Sequence, residues 1–178
     1  MAPALRRAKP WRATWERAGG GLLINQAIHT LDLVQWLLGD VVDLRGHVAT
    51  NKFADVIEVE DTAEMLFTHA SGCQTAFFAT LTAPRHRAVE LELACDNAYV
   101  TLRNALTVSW ADGRVQSWDE RKAPSGGRAY WGVSHEIFIR DFYAKLGDPE
   151  PFWIGPAEAM KSLELLKRTY EASGIRTA

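Results

Sequence analysis

The chain has 178 residues, 47% of them hydrophobic and 24% charged, with a formal net charge of −2 at pH 7. A chain of this length can bury a sizeable core, and its slightly acidic balance excludes the usual basic signature of a nucleic-acid binder. No apolar run reaches the roughly 18 residues of a membrane helix, and the start MAPALRRAKPW lacks the apolar centre of a secretory signal, so no membrane role is expected and the cytoplasm is the expected location.

Residues 1–18 hold Arg6, Arg7, Lys9, Arg12 and Arg17 among few large aliphatics, which reads as a basic linker arm with its charges mostly in water; phosphate binding is the alternative. Residues 19–178 read as a single domain. Gly19, Gly20 and Gly21 lead into an amphipathic helix that ends at Gly39, where a left-handed conformation costs glycine little. Side chains three and four apart share a helix face, so Asn25, His29, Asp32 and Trp36 form one stripe. Leu23, Ala27, Leu31, Val34 and Leu38 supply apolar surface elsewhere.

From Val41 the pattern alternates. Val41 to Thr50, Ala63 to His69, Gln74 to Thr82, Val89 to Cys95, Ala98 to Leu102, Leu106 to Trp110 and Arg114 to Trp118 each read as strands. Ser71-Gly72, Asp96-Asn97, Arg103-Asn104 and Asp112-Gly113 supply the turns, which predicts mostly antiparallel hairpins. Cys73 and Cys95 lie in separate strands without metal-ligand spacing and are expected as buried free thiols.

The end of the chain returns to helix. Ser134 can cap a segment from His135 to Leu146 with a Phe138, Phe142, Leu146 stripe, stopped by Gly147-Asp148-Pro149. Gly155-Pro156 starts a second helix with Glu158 in its first turn, and Met160, Leu163, Leu166 and Tyr170 are expected to line its buried face. The fold class is α+β: an open, mostly antiparallel sheet with helices packed on one face. Phe77 and Phe78 point opposite ways, so the other sheet face is also apolar and is expected to meet a partner subunit in a homo-oligomer.

His29 has the only side chain on its stripe whose ordinary pKa suits proton transfer near neutral pH, which makes that face the candidate active site. Asp32, three residues on, could hold the imidazole or cap a neighbouring loop. Two such ligands without a third fall short of a zinc site, so no metal is expected. His47 and His69 sit in strand patterns and receive no role.

The run WRATWERAGGGLLINQAIHTLD, Trp11 to Asp32, resembles the second domain of the Gfo/Idh/MocA family of nicotinamide-dependent sugar and polyol oxidoreductases, whose signature is a Gly triplet followed by His-x-x-Asp. EDTAEMLFTHASGCQTAFFAT, Glu60 to Thr80, is similar to that family's central hairpin. His135 to Pro151 and Gly155 to Tyr170 are similar to its closing helix pair. The family's cofactor domain opens with G-x-G-x-x-G after a strand. That pattern does not occur here, and Lys9-Pro10 is a poor substitute for the family's Glu-Lys-Pro motif. The resemblance therefore implies the substrate-binding and oligomerisation half of a two-domain enzyme, whether by truncation, by choice of segment or by gene fission.

In such an enzyme a substrate carbon gives hydride to NAD or NADP while a base takes the hydroxyl proton, and the resemblance assigns the base to His29. The alternative is a histidine tied structurally to Asp32 or to backbone. Many members carry an aspartate four residues before the histidine; Asn25 stands there and can only orient substrate by hydrogen bonds. Gln26 lies about a quarter-turn away and can be merely structural. Asn25 and Asp32 are thus substrate-binding candidates, with Arg85 of the basic loop Pro84-Arg85-His86-Arg87 and His135 beside Tyr130 and Trp131 as outer ones. A solvated loop is the leading reading for Arg85, and aromatic packing at a helix start explains His135 equally well. Gly20 and Gly21 would let backbone approach the cofactor, although a sharp turn into a helix demands glycine too. The chain alone is expected to bind NAD(P) weakly and to show no turnover, with the missing Rossmann domain as its partner and a sugar, polyol or sugar derivative as substrate. A free-standing, non-catalytic binding or assembly module of the same fold is the other reading. The choice between NAD and NADP lies outside this sequence.

Overall fold

Strands and helices follow one another in the order the sequence pattern predicts, in a computed structural model that describes residues 10–85, 87–103, 105–119 and 134–175. A 3₁₀ turn (Pro10–Ala13) and one helical turn (Trp15–Ala18) precede a π-helical turn (Leu23–Ala27) that runs directly into α1 (Ile28–Leu38). Strands β1 (Val41–Ala49), β2 (Thr62–His69) and β3 (Gln74–Thr80) make one antiparallel sheet in the order β1-β2-β3. Strands β4 (Leu91–Ala94), β5 (Ala98–Arg103), β6 (Ala105–Trp110) and β7 (Val115–Asp119) make a second, an antiparallel meander in sequence order. Helices α2 (Ser134–Ala144) and α3 (Pro156–Ala172) complete the α+β fold. The class and the antiparallel pairing are those expected, with the strands divided between two open sheets where a single one was anticipated. Contacts group the chain into two compact units, Met1–Arg85 with Ile154–Ala178, and His86–Trp153.

The first unit is built on the two-residue alternation of its sheet. Leu44, Gly46 and Val48 of β1 stand opposite Phe67, Met65 and Ala63 of β2, and Phe77 of β3 stands opposite Met65. These inner residues join Leu23, Ala27, Leu31, Leu165, Leu166 and Tyr170 in one core beneath the helices. Gly46 suits the packing: a Cβ there would come within 3.1 Å of both Met65 and Thr169, so α3 lies close over the strand. The register shift between Val41 and Asp43 is a bulge that leaves Val42 unpaired and 61% exposed. On the outer face stand Arg45 and His47, Glu64 and Leu66, and Ala76 and Phe78. Phe77 is 9% exposed and Phe78 66%, as their opposite directions predict.

Helix α3 departs from the expected register. Leu166 and Tyr170 are buried, but Met160 and Leu163 are 47% and 38% exposed, and the buried stripe is Ser162, Leu165, Leu166, Thr169 and Tyr170. The correction has a physical cause. At about 100° per residue Ser162, Leu165, Leu166, Thr169 and Tyr170 share one arc of the helix, with Leu163 at its edge and Met160 beyond it, and Thr169 can face the core because its hydroxyl is satisfied on the Leu165 carbonyl at 2.9 Å. The cysteines also differ from expectation: both are free, but Cys73 is half-buried and Cys95 exposed.

In the second unit β4–β7 sort by face. Leu91, Leu102, Leu106 and Trp118 share one cross-strand row, and Glu92, Thr101, Thr107 and Ser117 share a row on the opposite face. Phe138 and Phe142 of α2 meet Phe152 edge-on at 5.5 and 5.3 Å between ring centroids, and the Trp153 indole donates to Asp141 at 2.8 Å. Those contacts supply the apolar stripe expected for this helix, although none of its residues is buried. Asn104, Arg6, Arg7 and Lys9 lie outside the described residues.

Candidate active site

The candidate site begins at a helix start that has no local cap. Leu22 precedes the π-helical turn and offers no side-chain acceptor, and Gly20 and Gly21 have none either, so the first N–H groups of the turn need a partner from elsewhere. Glu60, 1% exposed, supplies it. Its Oε2 accepts the Gly21 N–H at 2.8 Å and its Oε1 accepts the Leu23 N–H at 2.9 Å, while its backbone carbonyl accepts the Leu22 N–H at 3.1 Å. The Tyr170 hydroxyl donates to the same Oε1 at 2.8 Å. A carboxylate beside a helix start also meets the favourable end of the helix dipole.

The electrostatics of this group are set by burial. Loss of water raises the Glu60 carboxyl above the usual glutamate range, against the pull of the Leu23 N–H and the Tyr170 hydroxyl. Burial and the neighbouring Glu60 charge hold the Tyr170 hydroxyl far above the usual tyrosine range, which keeps it a donor. The Trp15 ring meets the Tyr170 ring edge-on at 5.1 Å, and its indole donates to the Glu58 carbonyl at 2.8 Å. The described end of the arm is thus docked on the same scaffold.

Gly20 and Gly21 are shaped by these neighbours. A Cβ on Gly20, whose φ is +154°, would overlap the Tyr170 hydroxyl, and a Cβ on Gly21 would overlap the Glu60 carbonyl. Packing within the protein accounts for both glycines without a cofactor. Gly39 has φ +82° and ψ −172° at the end of α1, a positive-φ conformation that favours glycine but not the left-handed helical one expected there, and its N–H returns to the Gln35 carbonyl at 2.8 Å.

The chain enters α1 through a widened turn in which the Ile28 N–H bonds to the Leu23 carbonyl, five residues back. Leu23, Ala27, Leu31 and Val34 face the core, while Asn25, His29, Asp32 and Trp36 are all exposed, Trp36 by 70%. The structure therefore brings the predicted stripe together on one open helix face. Asn25 Nδ2 donates to the Gly21 carbonyl at 2.8 Å. Since that carbonyl can only accept, the amide nitrogen faces it and Oδ1 stays available for a donor. Among the described residues neither His29 nor Asp32 has a hydrogen bond or ion pair, so Asp32 neither holds the imidazole nor caps a loop here.

The outer candidates sit on other elements. Arg85 is exposed in the loop after β3, and His86 lies outside the described residues. His135 is exposed in the first turn of α2, in the second unit; Tyr130 and Trp131 lie outside the described residues. His69 is buried instead, with Nδ1 2.8 Å from the Gly39 carbonyl and Nε2 2.9 Å from the Thr75 hydroxyl, so it fastens the end of α1 to the sheet. Among the described residues no group of three or more His, Cys, Asp or Glu is placed to hold a metal, and no helix is long and apolar enough to cross a membrane.

Sequence reasoning missed Glu60 and Asp61. Asp61 is fully buried and accepts the N–H groups of Asn51, Lys52 and Phe53 at 2.9, 2.9 and 3.0 Å and the Thr62 hydroxyl at 2.9 Å. It fixes the loop on which the Trp15 turn docks. The available signal was two adjacent carboxylates immediately before a strand with an inward apolar face, where a solvated loop end would have no reason to carry both.

A profile of the GFO/IDH/MocA C-terminal domain matches residues 2–101, and the chain belongs to that family. No curated protein matches the sequence. Among solved structures, an oxidoreductase from Agrobacterium radiobacter in complex with NAD+, L-tartaric acid and magnesium is similar at TM-score 0.78 and 18% identity, covering 95% of this chain and 51% of that one. A levoglucosan dehydrogenase in complex with NADH and levoglucosan is similar at TM-score 0.78 and 18% identity, covering 92% and 51%. The WlbA dehydrogenase from Bordetella pertussis in complex with NADH and UDP-GlcNAcA follows at 0.61 and 24%, covering 99% and 51%. The chain thus spans about half the length of the structures it matches, and the likeness is one of fold.

Proposed function

We propose that this chain is the substrate-binding half of an NAD(P)-dependent dehydrogenase that oxidises a hydroxyl of a sugar, polyol or sugar derivative, with His29 as general base. The observation that carries this reading is the exposed stripe itself: an imidazole with neither nitrogen engaged, one helical turn from an amide whose acceptor oxygen is free. In the reaction the substrate O–H proton passes to an imidazole nitrogen of His29 as the carbonyl forms. Asn25 Oδ1 accepts from a neighbouring substrate hydroxyl and fixes which carbon is presented, and Asp32, on the same exposed stripe, offers its carboxylate as a further acceptor for substrate hydroxyls. The nicotinamide of a cofactor held by another domain supplies the hydride acceptor. Similar structures in complex with NADH and levoglucosan, and with NADH and UDP-GlcNAcA, support this class of chemistry. Arg85 and His135 are proposed as outer substrate contacts. The exposed side of β1–β3 is proposed as the surface for homo-oligomer formation, and the cytoplasm as the location.

The test joins this chain to the dinucleotide-binding half of its enzyme and screens sugars, polyols and their acids with NAD+ and NADP+, following reduced nicotinamide. His29→Ala is expected to lower turnover by about 10² to 10⁴. Unchanged turnover removes His29 from the mechanism, and robust turnover by the 178-residue chain alone overturns the proposed division of labour.

A further inference from the structure

We infer that Glu60 is a positioning residue for this site, setting the orientation of Asn25 and the direction of the His29 stripe through the backbone of Gly21. The inference rests on the reading of Asn25 and His29 as substrate-facing groups. Its basis is a continuous set of hydrogen bonds. The Gly21 N–H is held by Glu60 Oε2 at 2.8 Å, and the Gly21 carbonyl receives both the Asn25 N–H at 3.2 Å and the Asn25 side-chain amide at 2.8 Å. One residue is fixed from both sides, and the amide that hangs from it can turn only its Oδ1 outward.

A buried carboxylate is costly compared with an apolar side chain of the same size, so packing alone does not explain Glu60. The requirement is for an acceptor with two oxygens. Three donors converge on it from Gly21, Leu23 and Tyr170, and no side chain at Gly20 or Gly21 could replace it, because Tyr170 and Glu60 occupy the space. The bonded Leu23 is also the residue whose carbonyl accepts the five-residue bond of the π-helical turn. Glu60 therefore clamps the point at which the helix is widened. Asn25 lies inside the widened turn and His29 just beyond it, so a change of pitch there rotates both relative to the core face of Leu31 and Val34.

The test is amide hydrogen exchange by NMR on the intact chain, comparing Glu60→Gln with the unaltered protein. The substitution keeps the volume and one acceptor oxygen but aims an N–H₂ at one of the converging donors. Exchange of the Gly21 to Ile28 amides and of the Asn25 side-chain amide is expected to quicken by about ten- to a hundredfold, with β2 and the second half of α3 quickened less, by no more than the loss of global stability read on the same variant. Unaltered rates in 21–28 overturn the inference. So does an equal acceleration throughout β2 and α3, the result for a residue that merely stabilises the fold. Should Glu60→Gln not fold, Tyr170→Phe removes only one of the three donors; a smaller acceleration that is greatest in 21–28 and exceeds the loss of global stability there supports the inference, and none, or a uniform one, overturns it. Exchange is read without turnover, so an inactive or active His29→Ala protein with native protection tests the catalytic reading separately.

Discussion

Tyr170, near the end of the last helix, donates its hydroxyl at 2.8 Å to the carboxylate of Glu60, at the start of the central hairpin, and both are buried. Through this one bond α3 reaches the acceptor, two residues before β2, that also holds Gly21 and Leu23. Removing the acceptor leaves three buried donors without a partner, and each such donor costs about 1–3 kcal/mol. Glu60→Ala is therefore expected to lower stability by about 3 kcal/mol or more, measured by urea unfolding, while Tyr170→Phe, which leaves Leu23 bonded to the same oxygen, is expected to cost about 1–2 kcal/mol.

The neighbouring carboxylates give opposite pH dependences. At Asp61 burial pushes the carboxyl up, but the N–H groups of Asn51, Lys52 and Phe53 and the Thr62 hydroxyl outweigh it and hold it below the usual aspartate range. A group depressed on folding contributes stability that is present above its unfolded value, about 3.9, and is lost as pH falls through the lower folded value. Glu60 is raised, so its contribution falls as pH climbs from the usual glutamate value through the folded one. Asp61→Asn is expected to flatten the acid-side loss of Tm, whereas Glu60→Gln is expected to remove the loss on the higher side of the glutamate range. A pH series of thermal melts on the two variants checks the signs.

Glycine at position 21 is demanded by the backbone of Glu60 rather than by conformation, since a Cβ there would overlap a carbonyl oxygen that is itself bonded to the Leu22 N–H. Carbonyl backbone cannot turn aside as a flexible side chain does. Gly21→Ala is expected to destabilise by about 2 kcal/mol or more, within the range of overpacking and strain. Gly39→Ala, where nothing lies within 4 Å, is expected to cost only the strain of its positive φ and extended ψ, about 1–3 kcal/mol. Parallel denaturant titrations measure both.

What could be read in the sequence follows from period and composition. Leu23, Ala27, Leu31 and Val34 recur at helical spacing and are all buried, and Phe77 and Phe78 alternate as strand neighbours must. The stripe of Asn25, His29, Asp32 and Trp36 was legible for the same reason. The π-helical turn was not, because Leu-Ile-Asn-Gln-Ala has no local mark of a wider pitch and the cause lies at Glu60, far along the chain. Glu60 and Asp61 were hidden because charged residues ordinarily signal solvent, and only their converging donors explain their burial. Met160 and Leu163 misled because an apolar residue marks a buried face only when the helix overlies a core at that turn.

His29 has no partner to lose among the described residues, so its replacement tests function apart from folding. His29→Ala is expected to change stability by less than about 0.5 kcal/mol, as for other exposed positions, and a melt within about a degree or two of the unaltered protein would agree with that. A marked loss of stability would show that the imidazole has a structural task.

The outer face of β1–β3 carries an apolar patch. Phe78 stands directly opposite Glu64, and Leu66 opposite Ala76, so the two apolar side chains are bordered by Arg45, His47 and Glu64. With Leu66 and Phe78 exposed by 47% and 66%, burying them against a second copy would supply the hydrophobic term, and the bordering charges of both signs would set its register. Leu66→Glu combined with Phe78→Glu would place new negative charge beside Glu64 on both copies and remove that term. Sedimentation of the unaltered chain is expected to show an oligomer that the double variant shifts to monomer, with its melting temperature at dilute concentration little changed. An unaltered chain that sediments as a monomer at all concentrations overturns the interface.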